Sequence, residues 1–216
     1  MPLPFADFFT EIKIAEYKSK FNPKITVCKF MGQIRIDCGG LTQSGTIIHD
    51  IWSHVLHQII PGKFAPKEIL LLGLGGGTLA RLLHRKFKHA HITAVEIDPV
   101  MIDIAKKYFH TDRLTRLSIV NADAAAYPLS TTDYELIFVD CYLGDSIPPK
   151  LESIQFLDKL YGRLAPGGFL FINRLYWDKY VQPTQEYARV IGRHFSFLKI
   201  IHTSYNLVIT IPKDSA

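Results

Sequence analysis

Apolar residues along this chain follow two rhythms in turn. Between Ile25 and Gly39 they alternate with polar ones, ITVCKF and then QIRIDCG around Met31-Gly32, which predicts a β-hairpin. From 48 to 60 the apolar positions are 48, 51, 52, 55, 56, 59 and 60, a helical stripe that Pro61-Gly62 ends. From residue 68 onward, short unbroken apolar runs alternate with helical patterns. The runs predict strands near 68–73, 91–96, 116–121, 134–140 and 168–173; the patterns predict helices near 76–88, 99–109, 150–164 and 182–194. Strands apolar throughout are buried on both faces, which implies a mostly parallel sheet between two layers of helices. The tail, SFLKIIHTSYNLVITIP, reads as two strands turning at 203–206, an antiparallel C-terminal hairpin on the sheet edge. Ahead of the first hairpin a short helix is expected over Phe5 to Tyr17, with a break at Asn22-Pro23. The fold class is α/β, a doubly wound sheet with a short N-terminal β-hairpin appendage, and the division falls between 1–45 and 46–216.

Within this frame one junction carries chemistry. The run ending at Leu72 passes into Gly73-Leu74-Gly75-Gly76-Gly77-Thr78, a helical pattern follows, and the next apolar run closes on Glu96, 19 residues after Gly77. Strand, glycine turn, helix, strand and acid in that order form a nucleotide-binding βαβ unit, Rossmann-like in plan. Glycines let the backbone approach a ligand where a Cβ would clash, and Glu96 can accept from a ribose diol. A dinucleotide site wants Gly or Ala at position 78, where this chain has Thr. Gly73-x-Gly75-x-Gly77 is instead similar to the pattern of class I S-adenosylmethionine-dependent transferases.

Ligands in such sheets lie beyond the carboxyl ends of the strands, so the residues just after each strand are the candidates. After the second strand come Glu96 and Ile97, which can pack on a base. After the third come Asp123 and Ala124, with Asp123 placed either to accept from an adenine amino group or to cap the following Ala-Ala-Ala turn. The fourth strand runs into Asp140-Cys141-Tyr142-Leu143-Gly144-Asp145 and then Pro148-Pro149, a long loop where an acceptor would meet the reactive carbon. Asp140 is the candidate acid, base or cation-binder and Asp145 the next. Cys141 has no evident base partner and reads as a buried thiol.

The composition narrows partners and setting. Hydrophobic residues are 48% and charged residues 21% of 216, an ordinary globular balance. Net charge is +5, and the densest basic stretch, Arg81 to His89, reads as the solvated face and exit of the helix after the glycine turn. No aromatic interleaving or binding module accompanies it, so nucleic acid is not the expected partner. Three cysteines without metal spacing fit a reducing cytoplasm, and no apolar run reaches the roughly 18 residues of a membrane span. The first residues, MPLPFADFFTEIK, lack the charge and apolar core of a signal peptide. His49, His54 and His57 have no carboxylate at metal-ligand spacing, so no metal is expected.

ILLLGLGGGTLARLL, VEIDPVMIDIAKKYF and YELIFVDCYLGDSIPPKLESIQFLDKLYGRLAPGGFLFIN, in this order, resemble the spermidine synthase-like family of class I S-adenosyl transferases. The likeness is greatest to a divergent branch that in other proteins is fused to a membrane-transporter part, and it covers about residues 24–175. Leu41-Thr42-Gln43-Ser44 also resembles the family segment whose glutamine touches the nucleoside. The resemblance implies an S-adenosyl compound, S-adenosylmethionine or its decarboxylated form, held by Gln43, Gly73, Glu96 and Asp123, with Asp140 in the acidic reaction loop. It also permits a homodimer, since spermidine synthases pair through N-terminal strands.

Three departures bear on activity. Gly75 stands where aminopropyltransferases have an Asp that grips the aminopropyl amine. Trp52-Ser53-His54 replaces a segment ending in Glu, leaving His54 as a substitute base. Leu143 falls where the catalytic acid should be, and Asp145 could replace it only if the loop bulges. A dication needs several carboxylates to offset its desolvation, so these losses weigh against spermidine synthesis. The sequence therefore predicts a transferase moving a methyl or aminopropyl group to a small-molecule acceptor, with a non-catalytic S-adenosyl-binding module as the alternative. A nucleic-acid methyltransferase ranks below both, because Asp-Cys-Tyr-Leu stands where base-amino methyltransferases carry Asp/Asn-Pro-Pro-aromatic.

Overall fold

A computed structural model of the protein describes residues 10–129 and 133–215. Two sheets build it. The first is antiparallel, in the order β1 (Ile12–Tyr17), β2 (Ile25–Phe30), β3 (Gln33–Cys38), β4 (Leu41–Ser44). The predicted hairpin is its centre, with Cys28 opposite Arg35. The helix expected over Phe5–Tyr17 is not formed where the structure describes it: 12–17 is β1, and 5–9 lie outside the described residues. IKIAEY has no clean alternation, and pairing with β2 decides for the strand.

The second sheet has seven strands: β5 (Glu68–Leu72), β6 (His91–Glu96), β7 (Leu117–Asn121), β8 (Tyr134–Val139), β9 (Leu164–Leu175), β10 (Lys199–His202) and β11 (Asn206–Pro212). Their order is β10-β11-β9-β8-β5-β6-β7. The five from β5 to β9 are parallel, and β11 runs antiparallel between β9 and β10. In β5 alternate residues enter opposite cores. Ile69 and Leu71 meet α1 (Thr46–Ile59), α2 (Thr78–Lys86) and α3 (Pro99–Phe109); Leu70 and Leu72 meet α5 (Ile154–Gly162) and α6 (Val181–His194). This is why the run reads as unbroken apolar residues.

The helix predicted over 150–164 is two pieces. Pro149 opens α4 (Pro149–Glu152), Ser153 breaks it in an extended conformation, and the Ser153 hydroxyl then caps α5 by accepting from the Phe156 amide. The following strand starts at Leu164, four residues before the predicted start, and carries Gly167 at φ 74° through the bend. Among the described residues no helix is long and apolar enough to cross a membrane.

The two sheets are joined through α3. Ile25, Val27, Ile36 and Cys38 pack on Met101, Ile104 and Phe109. Asp98, 1% exposed, caps α3 by accepting from the Val100 amide at 3.0 Å, and its other oxygen accepts from Ser19 and Asn22 at 2.5 and 2.8 Å.

Candidate active site

Strand order reverses between β5 and β8, and the crevice outside their carboxyl ends is where an open α/β sheet binds its ligand. A cavity of about 320 Å³ lies there. Gln43, the Gly73–Gly75 turn, Glu96, Ile97, Asp123, Ala124 and Asp140 all line it. Gly77, His54 and Asp145 do not.

The glycine turn is shaped by its protein neighbours. Gly73, Gly75 and Gly77 have φ of 93°, 53° and 83°, where a side chain is strained. A Cβ on Gly73 would lie 2.2 Å from the Asp140 carbonyl oxygen, and one on Gly77 would lie 2.4 Å from a Thr111 methyl. Space for the ligand is therefore not what excludes a side chain at these positions; close packing of β5 on β8 and on the turn after α3 is. Ser44, at the end of β4, accepts from the Gly76 amide at 2.7 Å, and the Gly45 amide donates to Thr78 at 3.1 Å. The first sheet thus grips the turn from outside.

Glu96 holds the same turn from inside. One carboxylate oxygen accepts from the Leu74 and Gly75 amides at 3.0 and 3.2 Å, and the other accepts from the Asp98 amide at 3.0 Å. Burial pushes its pKa up, and these three amides oppose the shift. Of the four lone-pair positions of a carboxylate, these donors use three. Asp123 is exposed, lines the cavity and caps its own turn, one carboxylate oxygen accepting from the Ala125 amide at 2.9 Å. Both sequence readings of Asp123, cap and ligand group, are thus compatible with one conformation.

At the other end Asp140 is set by residues the sequence reading did not select. The Trp52 indole N–H donates to one oxygen at 3.0 Å and the Asn173 amide to the other at 2.8 Å. Asn206 donates to the Asn173 carbonyl oxygen at 3.0 Å, fixing which way that amide points. Trp52, fully buried, packs edge-on against Phe138 and Phe171. Burial pushes the Asp140 carboxyl above its usual range, and the Asn173 and Trp52 donors pull against that. Asn173 and Asn206 lie beside long apolar stretches of β9 and β11, but nothing local in the sequence ties either to Asp140.

Two candidate catalytic residues stand elsewhere. His54 is exposed on α1; two residues after inward-facing Trp52, it lies about 200° around the helix. Asp145 accepts from the Tyr180 hydroxyl at 2.6 Å and from Lys179 at 3.0 Å. Those contacts, the Tyr180 hydroxyl first, pull its pKa down to about 2. The loop folds on a Leu143–Ser146 bridge, which turns Asp145 outward. Gln43 donates to the Gly144 carbonyl at 3.3 Å, tying the first sheet to this loop. The Cys141 thiol lines the cavity, but burial, then Glu96 and Asp140, push it well above its usual range, so it is no thiolate. Among the described residues one acid–thiol group, Glu11, Cys28 and Asp37, is compact enough for a metal. Arg35 already bridges its two carboxylates at 2.6 and 2.8 Å, supplying the cation.

A methyltransferase-domain family model matches residues 69–168, which span the glycine turn, Glu96, Asp123 and Asp140. The polyamine aminopropyltransferase of Vibrio vulnificus is 33% identical over 149 residues, 67% of this chain and 50% of that one. This chain is a homologue of the polyamine aminopropyltransferases. It spans about half the length of that relative. The eEF1A lysine and N-terminal methyltransferase homolog of Drosophila melanogaster is also similar, 30% identical over 129 residues, 55% of this chain and 19% of that one. In fold, the chain resembles a probable spermidine synthase from Corynebacterium glutamicum, with a TM-score of 0.74 at 18% identity, over 92% of this chain and 79% of that one.

Proposed function

We propose that the protein is an S-adenosylmethionine-dependent transferase that moves a methyl group to a nucleophilic acceptor bound beside Asp140. The observation that carries this reading is the distribution of charge in the cavity. Glu96 and Asp123 stand at the nucleoside end and Asp140 alone at the other, so a single acid is left where a doubly charged polyamine acceptor would need several. Gly75, where an aminopropyl-gripping acid would stand, has φ 53° and its Cβ position 3.0 Å from the Gln43 carbonyl. An acid there would be both strained and crowded.

The residues present fit an S-adenosyl nucleoside. Glu96 keeps one acceptor position for the ribose, Asp123 a free oxygen for the adenine amino group, and Ile97 and Met101 an apolar wall for the base. When bound, the group supplies an electrophilic methyl carbon on a sulfonium leaving group. The chain's task is then mostly alignment, worth several orders of magnitude for well-oriented reactants. Asp140, with one lone pair left on each oxygen, can accept an acceptor's proton or hydrogen bond. Three free thiols, Cys28, Cys38 and Cys141, suit a reducing, cytoplasmic setting.

Calorimetric titration of the full chain with S-adenosylmethionine and with its decarboxylated form tests this. Tighter binding of the carboxylated donor is expected; tighter binding of the decarboxylated one would return aminopropyl transfer to first place. The outward placement of His54 and Asp145 favours one second reading, a non-catalytic S-adenosyl-binding module. Methyl transfer from labelled donor to any amine would exclude it.

A further inference from the structure

From Asp140 outward the cavity changes character. Its mouth is made by Ile47 on the first turn of α1, Leu143 on the loop, Trp177 after β9 and Tyr205 before β11, respectively 41%, 36%, 39% and 51% exposed. Large apolar side chains left this open are commonly found where a ligand covers them. The four come from four separate segments that converge on the carboxyl ends of β8 and β9. The main chain at Tyr205 is tied to the end of β9, its carbonyl accepting from the Tyr176 amide at 2.8 Å. Trp177 stands edge-on to Tyr180, the residue that anchors Asp145.

We infer that the acceptor is a single primary amine carried on an apolar stem, a free monoamine or a lysine side chain, with Asp140 as its one counter-charge and the ring of Ile47, Leu143, Trp177 and Tyr205 around the stem. This rests on the methyl-transfer reading. A lone carboxylate offsets the desolvation of one ammonium. A short diamine would place its second ammonium among those four side chains, where no described carboxylate faces it. For transfer the ammonium first loses a proton, to Asp140 and then to water. The nitrogen lone pair forms the new N–C bond as the sulfonium C–S bond breaks, and that electron pair stays on sulfur as a neutral thioether. The methylated amine leaves with the positive charge.

The test is binding, separate from turnover. The full chain is saturated with S-adenosylhomocysteine and titrated calorimetrically with n-butylamine, 1,4-diaminobutane and Nα-acetyl-lysine methylamide. The better of the two single amines is expected to bind at least tenfold tighter than the diamine. Asp140→Asn should weaken that binding at least tenfold, and Trp177→Ala, at the mouth, should weaken it severalfold. Preference for butylamine identifies a free monoamine and preference for the lysine derivative a protein lysine. Equal or tighter binding of the diamine, no amine binding, or indifference to both substitutions overturns the inference. If S-adenosylhomocysteine itself fails to bind, it is the transferase reading that falls.

Discussion

Asp140 is held by two groups that act only as donors toward it. The indole of Trp52 has nothing but an N–H to offer, and Asn173 must present its NH₂ because Asn206 donates to its carbonyl oxygen. Both contacts favour the ionised carboxylate while burial opposes it. Under the proposed function, transfer should rise with pH through the Asp140 titration, at a pH above the ordinary carboxylate pKa of about 3.9. Trp52→Phe keeps the ring packing and deletes one donor, so the acidic limb of the pH–rate profile should move further up. A limb that stays put would mean Asp140 does not titrate in the reaction. Asp140→Asn should lower kcat/KM by about 10²-fold or more, the scale of a positioned acid or base. Gly73→Ala tests a different residue-level constraint: its methyl would meet the Asp140 carbonyl at 2.2 Å with φ at 93°. We expect thermal unfolding to show a loss of about 2–4 kcal/mol, from strain and from displacement of β8. The glycines and Glu96 were legible because their spacing is local. Trp52 and Asn173 were not, because they are 88 and 33 residues from the carboxylate they orient.

The α1 stripe shows what an element's geometry settles. Positions 48, 51, 52, 55, 56 and 59 define the inward face, and the structure buries Ile51, Trp52, Val55, Leu56 and Ile59. His54 falls off that stripe, so the helical period alone argued against it as a base. The 140–149 loop is the opposite case, because nothing in its sequence says that Leu143 pairs with Ser146 and sends Asp145 toward Lys179 and Tyr180. Asp145→Asn should therefore change kcat/KM by less than about threefold, as for an exposed pair. A loss as large as that of Asp140→Asn would put Asp145 in the acceptor site after all. The pairing has a defined pH window. With its folded pKa lowered to about 2, it is in place above the ordinary value of about 3.9 and is lost as pH falls through about 2. β1 was misjudged because most of its residues are exposed, leaving little apolar contrast between its faces. Its loop into β2 nonetheless matters: Ser19 and Asn22 both donate to Asp98. Asp98→Ala removes a helix cap and leaves the Asn22 amide and Ser19 hydroxyl without that acceptor. About 2–3 kcal/mol of stability should be lost, read by denaturant unfolding.

At the scale of the whole molecule, the cavity belongs to both sheets at once. The seven-stranded sheet supplies Glu96, Asp123 and Asp140, while β4 supplies Gln43 and the Ser44 hydroxyl that holds the Gly76 amide. The parallel sheet was legible from its apolar runs, which are dictated by burial on both faces. The four-stranded sheet was legible only as its central hairpin, since its outer strands depend on pairing partners rather than on a core of their own. A ligand seated between the two sheets should couple them. S-adenosylhomocysteine at a hundred times its Kd should add about 2.7 kcal/mol to stability, raising Tm by roughly 5–10 °C for a chain of this size. Hydrogen exchange should show where that energy goes. Protection is expected together in the amides of β4, the glycine turn and the 140–149 loop, because Gln43 already links the first of these to the last through Gly144. The outer strand β10, which does not line the cavity, should exchange as before. Protection confined to the seven-stranded sheet would mean that the first sheet only props the glycine turn from behind. The nucleoside would then have to be held without Gln43, by Glu96, Ile97 and Asp123 alone.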